Sequence, residues 1–553
     1  MDRGGEEVLG ELNKRARTMI PASSTPLAGN EPVVREQMSV RVIGVLFGFV
    51  FFSGVVACSF AEERIGRFRT YEPSWESLNE HDLPKWLLDA KLGLYGHWGV
   101  YSVPAFKTEW YGRLMYDKQT RGDAVFNHHL EKYGDQSEFG YKDFIKDFKA
   151  EKFDPKQWAD LIAKSGAKYA GITVVHHDGF CLWDSKYTRW DAKDMGPRRD
   201  LYGELAAALR DADPEMKILA CFHHYRTYGW FYTQDKALLQ RGRKEGWDIF
   251  DPAYADFYRN PETEPHPAFL AEWKNKVKEV IDNYQPDVLW FDGGGFRKGD
   301  NEPVTLDVLA YFYNTQHRKG SPVEVVNKKS NFHPDFGLRN FEKGGNRPPK
   351  VDFHWVDDLN IANRGWCYTH DIRYRRPNQI VDGFVDRVSR GGGLMLSISP
   401  KADGTIPDEQ KKILLTLGAW LEVNGEGIYG TRKWKIETEG PTDKLLHRTG
   451  TKTLWSFADN CDADDVRFTR SGNRLFAFVL GWPQSGEVLI KALKTAEPIS
   501  TRNRIKKISL LGSDDRVDWQ RRDDGLQVRF PKNKPCEYAY GLKIDVEGNL
   551  ITE

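Results

Sequence analysis

Asp292 closes a run of four apolar residues, Val288-Leu289-Trp290-Phe291, and three glycines follow it. A carboxylate in that position, with glycines leaving room for a ligand, suits a nucleophile or a general base. The same punctuation recurs along the chain. His97 follows the stretch 91–96, His176 and His177 follow 168–175, and His223 and His224 follow 217–222. Imidazoles and a carboxylate at the ends of successive apolar runs can move protons, hydrogen-bond a hydroxyl-rich ligand or hold a metal. No His-x-x-x-His or Cys-x-x-Cys spacing is present. His176 and His177, as neighbours on a strand, should also face opposite sides. The expectation is therefore a pocket of neutral polar rings with no metal and no cofactor. A metal-dependent hydrolase built on the histidines is the competing reading, and loss of activity on chelation would select it.

These residues need elements to position them. Apolar runs predict strands over 91–96, 168–175, 217–222, 288–291, 323–326, 353–356 and 394–398. Helical spacing falls between them, over 153–165, 201–210 and 269–284, the last with Trp273, Val277, Val280 and Ile281 three or four apart. Such alternation predicts an α/β fold, a parallel sheet with helical crossovers. Seven strands is one short of a TIM-like (β/α)8 barrel, so the barrel is inferred. Its C-terminal strand ends would carry the chemistry. From Lys433 onward the pattern changes to short alternating runs, such as 475–480 and 525–530, split by turns like Ser471-Gly472-Asn473. This predicts a C-terminal β-sandwich, which would brace the barrel or bind carbohydrate.

A length of 553 residues calls for two or more domains. Lys+Arg and Asp+Glu are both 80, so nothing points to nucleic acid or an anionic membrane. The 18 Trp and 23 Tyr suit core packing and flat-faced ligands such as sugars. Residues 42–61 carry no charge, and Glu62-Glu63-Arg64 follow. With the small Ser59 and Ala61, this reads as a secretory signal cleaved after Ala61, whose true start is either Met1 or Met38. A membrane anchor, or a lipoprotein signal at Val55-Val56-Ala57-Cys58, is the alternative. The expected division is a signal over 1–61, a catalytic barrel over 62–430 and a sandwich over 431–553, in a secreted or periplasmic protein. The other five cysteines are widely spaced. Cys181, Cys221 and Cys367 read as core thiols, and Cys461 and Cys536 form a candidate disulfide pair.

Six blocks resemble, in order, the α-L-fucosidases of glycoside hydrolase family 29. They are Lys91-Leu92-Gly93-Leu94-Tyr95-Gly96-His97-Trp98-Gly99, Glu109-Trp110-Tyr111, His176-His177-Asp178-Gly179-Phe180, Leu289-Trp290-Phe291-Asp292-Gly293, Val388-Ser389-Arg390-Gly391-Gly392 and Pro400-Lys401-Ala402-Asp403-Gly404. The resemblance implies a TIM-like barrel with a C-terminal β-sandwich, acting as a secreted retaining exo-α-L-fucosidase on a fucosylated oligosaccharide or polysaccharide. It implies that Asp292 is the nucleophile. It also implies that His97, Glu109, Trp110, His176, His177 and Trp290 hold the sugar, with Trp366 and Tyr368 packing near it. For the acid/base, the best match is Glu342, expected in a loop after an Asn-containing strand; Asp357 and Asp358 compete. Two departures touch the presumed pocket. Asn327-Lys328-Lys329 stands where the family often has Asn-Asp-Arg, so a bidentate contact is lost or replaced. Phe222-His223-His224 stands where many members have tyrosines. An α-L-galactoside or a substituted fucose is thus an alternative substrate, and a non-catalytic fucose-binding protein the alternative function.

Overall fold

The computed structural model describes residues 69–118, 123–328, 331–343, 351–442 and 461–552. The expected leader, Cys58 and Lys329 lie outside them. Eight parallel strands close a barrel in sequence order. They are β1 (Leu92–Gly96), β2 (Tyr169–Val175), β3 (Lys217–Phe222), β4 (Val288–Phe291), β5 (Glu324–Lys328), β6 (Leu338–Glu342), β7 (Trp355–Asn360) and β8 (Gly392–Ile398). Pairing of β1 with β8, Leu92 opposite Leu394, completes the ring.

The strand missing from the sequence reading is β6. Leu338-Arg339-Asn340-Phe341-Glu342 has only two apolar residues and no run to announce it. Its neighbours define it: Leu338 pairs with Val326 and Glu342 with Asp358. Glu342 is thus the last residue of a strand and not part of a loop. Two other strands continue past their apolar runs. β5 takes in Asn327 and Lys328, and β7 takes in Asp357 and Asp358.

The helices follow the expected pattern with ordinary caps. Helix Pro155–Lys164 starts at Asp154, whose side chain accepts from the Lys156 and Gln157 N–H groups, and has proline in its first position. Helix Leu201–Ala212 is capped by Asp200, and helix His266–Tyr284 stops at Gln285 in the left-handed conformation. Successive side chains on a strand point to opposite sides, and here they sort into two cores. Tyr95, Cys221, Trp290, Val326, Val356 and Met395 fill the barrel. Leu94, Leu289, Phe291, Val325 and Leu396 face the helices. Gly171 is needed for this closure, because a Cβ there would meet the Leu219 carbonyl oxygen at 1.9 Å.

Eight further strands follow the barrel: β9 (Arg432–Glu439), β10 (Val466–Ser471), β11 (Arg474–Val479), β12 (Glu487–Ile490), β13 (Arg504–Leu510), β14 (Asp518–Arg521), β15 (Leu526–Arg529) and β16 (Tyr540–Glu547). They form antiparallel sheets in the orders β13-β16-β11-β10-β9 and β12-β15-β14. A core containing Trp434, Phe468, Val528 and Ile544 lies within this unit. The sheets are tied to the barrel. Arg467 donates to Asp386 on helix Pro377–Ser389 at 2.6 Å, and the Trp420 indole donates to the Ala539 carbonyl at 2.7 Å.

Cys461 and Cys536 do not form the expected disulfide. The Cys461 thiol faces Thr442, while that of Cys536 faces the Ala539 carbonyl. Cys181, Cys221 and Cys367 are buried thiols. Among the described residues no helix is long and apolar enough to cross a membrane.

Candidate active site

The period of two that fills the barrel also builds its mouth. Going up each strand from a core residue, the next side chain on the same face is polar: Tyr95 then His97, Cys221 then His223, Trp290 then Asp292, Val326 then Lys328, Val356 then Asp358, Met395 then Ser397. Glu342 continues the face that Leu338 opens on β6. Side chains from seven strands therefore converge at the C-terminal end of the barrel.

Lys328 is the centre of this layer. Its ammonium lies 3.4 Å from Asp292 Oδ2, 3.6 Å from Glu342 Oε2 and 3.5 Å from Asp358 Oδ2. Burial alone would lower its pKa, but the three carboxylates raise it above the ordinary lysine value. Asp292 keeps 25% of its side-chain surface exposed, so one face stays open to a ligand. Its Oδ1 accepts from the Gly293 N–H at 2.7 Å, and its own N–H extends the ladder to the Phe222 carbonyl at 2.8 Å. Burial pushes its carboxyl up; Lys328, His177, the Gly293 N–H and Arg226 together outweigh that and hold it well below the usual carboxylate range. Asp358 is fully buried and accepts from the Tyr95 hydroxyl at 3.4 Å. Burial, with Glu342 and Asp357 acting the same way, pushes it up to about 6 against Lys328. Asp357 points the other way, to the Arg387 guanidinium on the helix layer. It is not at the mouth.

The imidazoles line the opposite wall. His97 shares a hydrogen bond between Nδ1 and Ser397 Oγ at 2.8 Å, and its ring stacks on Trp366 at 5.1 Å. His177 Nδ1 meets the His223 carbonyl at 2.7 Å. The rings of His176 and His177 are 4.6 Å apart, and both lie within 5.2 Å of the His223 ring. The expectation that His176 and His177 face opposite sides fails for a local reason. β2 shifts register between Thr173 and Val175 and ends there, so strand alternation does not extend to them. His224 lies outside the pocket, against Trp273 of the outer helix layer. Burial lowers His97, His176 and His223 well below the ordinary histidine value and His177 to about 4, so all four rings are neutral at physiological pH.

Two sets of ligand atoms have metal-like spacing. His97, His176 and His223, and His177, His223 and Asp292, each lie within 4.8 Å of one another. Sequence spacing could not show this, because every pair among His97, His177 and Asp292 comes from different strand ends.

Aromatic residues complete the pocket. Trp290 is buried in its floor, stacked on Tyr95 at 5.7 Å, with the Lys328 ammonium 5.6 Å from its ring. The Trp366 N–H donates to Glu109 Oε2 at 3.0 Å, and the Lys343 ammonium lies 4.4 Å from the Trp366 ring. Trp110 stands edge-on to His177 at 5.9 Å. Tyr368 packs against His370 and Lys401 instead of the pocket residues. The sequence reading missed Tyr95, Ser397, Lys343 and Trp230, whose ring lies 5.9 Å from that of His177, as site residues. Only the two-residue offset of Tyr95 from His97, and of Ser397 from Met395, carries a signal for them.

A family model described as alpha-L-fucosidase matches residues 59–426, and one described as alpha-L-fucosidase C-terminal domain matches residues 459–545. Human tissue alpha-L-fucosidase is 30% identical over 500 residues, 86% of this chain and 92% of that protein. The rat tissue enzyme is 29% identical over 489 residues, with the same two coverages. The crystal structure of Thermotoga maritima alpha-fucosidase in complex with fucose matches with a TM-score of 0.66 at 30% identity, covering 86% of this chain and 100% of that one. With the barrel, its mouth and these matches together, the chain belongs to the alpha-L-fucosidase family of glycoside hydrolases.

Proposed function

We propose that this chain is a secreted, retaining exo-α-L-fucosidase acting on fucosylated glycans. The observation that carries the mechanism is the single Lys328 ammonium in contact with both Asp292 and Glu342. Its two contacts cap the separation of Asp292 Oδ2 and Glu342 Oε2 at about 7 Å, which admits the ~5–5.5 Å of retaining enzymes and excludes most of the wider inverting range. In this reading an Asp292 oxygen attacks the anomeric carbon while the bond to the leaving oxygen breaks. Glu342 gives that oxygen its proton. Glu342 then takes a proton from water, whose oxygen displaces Asp292 and regenerates the carboxylate. The depressed pKa of Asp292 supports the ionised nucleophile. Neutral imidazoles, Glu109, Trp110 and Trp366 offer hydrogen bonds and flat faces to the sugar. The leader over 1–61, the catalytic unit over 62–430 and the sandwich over 431–553 belong to the same proposal. The first is tested by N-terminal sequencing of the native protein.

The deciding experiment is turnover of an aryl α-L-fucoside. Asp292→Asn should fold and lose nearly all activity, and the first-formed sugar should keep its anomeric configuration by NMR. Inversion, or an active Asp292→Asn, refutes the mechanism. Glu342→Ala should slow natural oligosaccharides far more than activated aryl fucosides, because only a basic leaving group needs the proton. Azide should restore part of its rate. Equal losses on both substrates without rescue move the role to Asp358.

A further inference from the structure

We propose that Arg226 binds an anionic substituent of the saccharide, a sulfate ester or a carboxylate, next to the scissile bond. This rests on the fucosidase reading above and names a feature of the substrate. Arg226 ends the tight turn His224–Arg226 that follows β3. Its neighbours fix it there: His224, Tyr225 and Thr227 are buried, and the Tyr225 ring packs on Phe296 at 4.1 Å. The Arg226 side chain then runs over the glycines after Asp292. A Cβ on Gly293 would lie 3.4 Å from Arg226 Cγ, and one on Gly294 would lie 3.8 Å from Arg226 Nη2. Gly293 has φ +130°, and this bare backbone lets the guanidinium rest beside the carboxylate that attacks the sugar.

The other cations of the mouth are occupied. Lys328 contacts three carboxylates, and Lys343 lies over Trp366 in the field of Glu342 and Glu109. Arg226 is exposed, and its guanidinium has no hydrogen bond or ion pair among the described residues. Its charge acts on Asp292, on His177 and on Arg113 of the short helix Tyr111–Leu114 after Trp110. Arg113 is half-buried, and Arg226 acts with burial to lower its pKa, while Asp117 opposes. Two guanidiniums that repel each other gain when an anion sits between them. Asp292, Glu342 and Glu109 would repel the same anion, which confines it to the Arg226 side of the mouth. The planar fork of arginine matches the paired oxygens of both sulfate and carboxylate.

The test compares kcat/KM on three matched α-L-fucosyl oligosaccharides: neutral, sulfated and carrying a uronic acid. The wild type should prefer an anionic form by about tenfold or more at low salt, and the preference should shrink as salt rises. Arg226→Gln should abolish the preference, and Arg226→Lys should restore part of it. Preference for only the sulfated or only the carboxylated substrate identifies the group. An anionic-to-neutral ratio that is the same in wild type and Arg226→Gln overturns the proposal. Wild-type turnover of the neutral aryl fucoside is read separately, since its absence refutes the fucosidase reading itself.

Discussion

Replacing Lys328 by Met should move the acid limb of activity to higher pH. The side chain is nearly isosteric and deletes one charge 3.4 Å from Asp292 Oδ2. At an effective dielectric of about 20, that charge is worth about 5 kcal/mol, or about 3 to 4 pH units on the carboxylate. Part of this is recovered, because Asp292 keeps the Gly293 N–H, His177 and Arg226, and water can enter beside it. The net rise should be about 1–2 units. Its sign is fixed: the depressed pKa keeps Asp292 ionised to low pH, so losing Lys328 lets protons compete sooner. The assay is kcat/KM for an aryl α-L-fucoside from pH 1.5 to 8, in brief exposures with a thermal melt at each pH to separate unfolding from titration. A folded variant whose acid limb coincides with the wild type's would show that Lys328 does not set the charge on Asp292.

Three further outcomes follow from other groups. Glu324, fully buried at the other end of β5, is pushed up to about 8 by burial, although the Val325 N–H and the Tyr313 hydroxyl oppose this. Its folded pKa lies above its unfolded one, so stability is lost as pH rises from about 4.5 to 8, at up to about 1.4 kcal/mol per unit. Glu324→Gln should therefore melt higher than the wild type at pH 8, with the gap closing toward pH 5. Asp386 pairs with Arg390 and Arg467 while almost fully buried, and Asp386→Ala removes the carboxylate nearest to both guanidiniums, leaving Glu437 3.9 Å from Arg390 and Asp465 3.9 Å from Arg467. A loss of about 3–5 kcal/mol in denaturant unfolding is expected, whereas a change under 1 kcal/mol would refute the pairing's role. EDTA should leave turnover unchanged, while added zinc should inhibit competitively through the imidazoles spaced within 4.8 Å; loss of activity on chelation would revive the metal-dependent reading.

How much of this was legible depended on whether a strand announced itself by apolar residues. β4 did, and Asp292 could be read from Val288-Leu289-Trp290-Phe291. β6 did not. Arg339 and Asn340 interrupt it, and only pairing to β5 and β7 makes it a strand, so the barrel came out one strand short and Glu342 seemed to belong to a loop. The resemblance pointed to Lys328 and Asp358, but the apolar runs did not place them on strands, because β5 and β7 run on beyond those stretches; counting two from Val326 and Val356 reaches both. The same count misled at His176 and His177, where a register shift turns two neighbours toward one wall. Arg226 had no signal, since its position depends on the glycines of another strand end.

Lys328 also bears on how the site keeps its protons. The Lys328 ammonium is a point charge that three carboxylates share. One positive charge balances one carboxylate, and in a buried cluster the excess negative charge is relieved by retained protons. Asp292 takes the ionised position because it alone adds the Gly293 N–H, and the Arg226 guanidinium favours its charge. Asp358 takes a proton more readily because it is fully buried beneath the others. In the mechanism proposed above, Asp292 loses its charge by bonding to the sugar, and the ammonium's attraction would then pass to the two remaining carboxylates. Glu342, at the open end of β6, is then better able to bear the charge left by giving its proton to the departing oxygen. In that mechanism Lys328 would couple the two halves of the displacement through one shared cation, and Lys328→Met should weaken acid and nucleophile together.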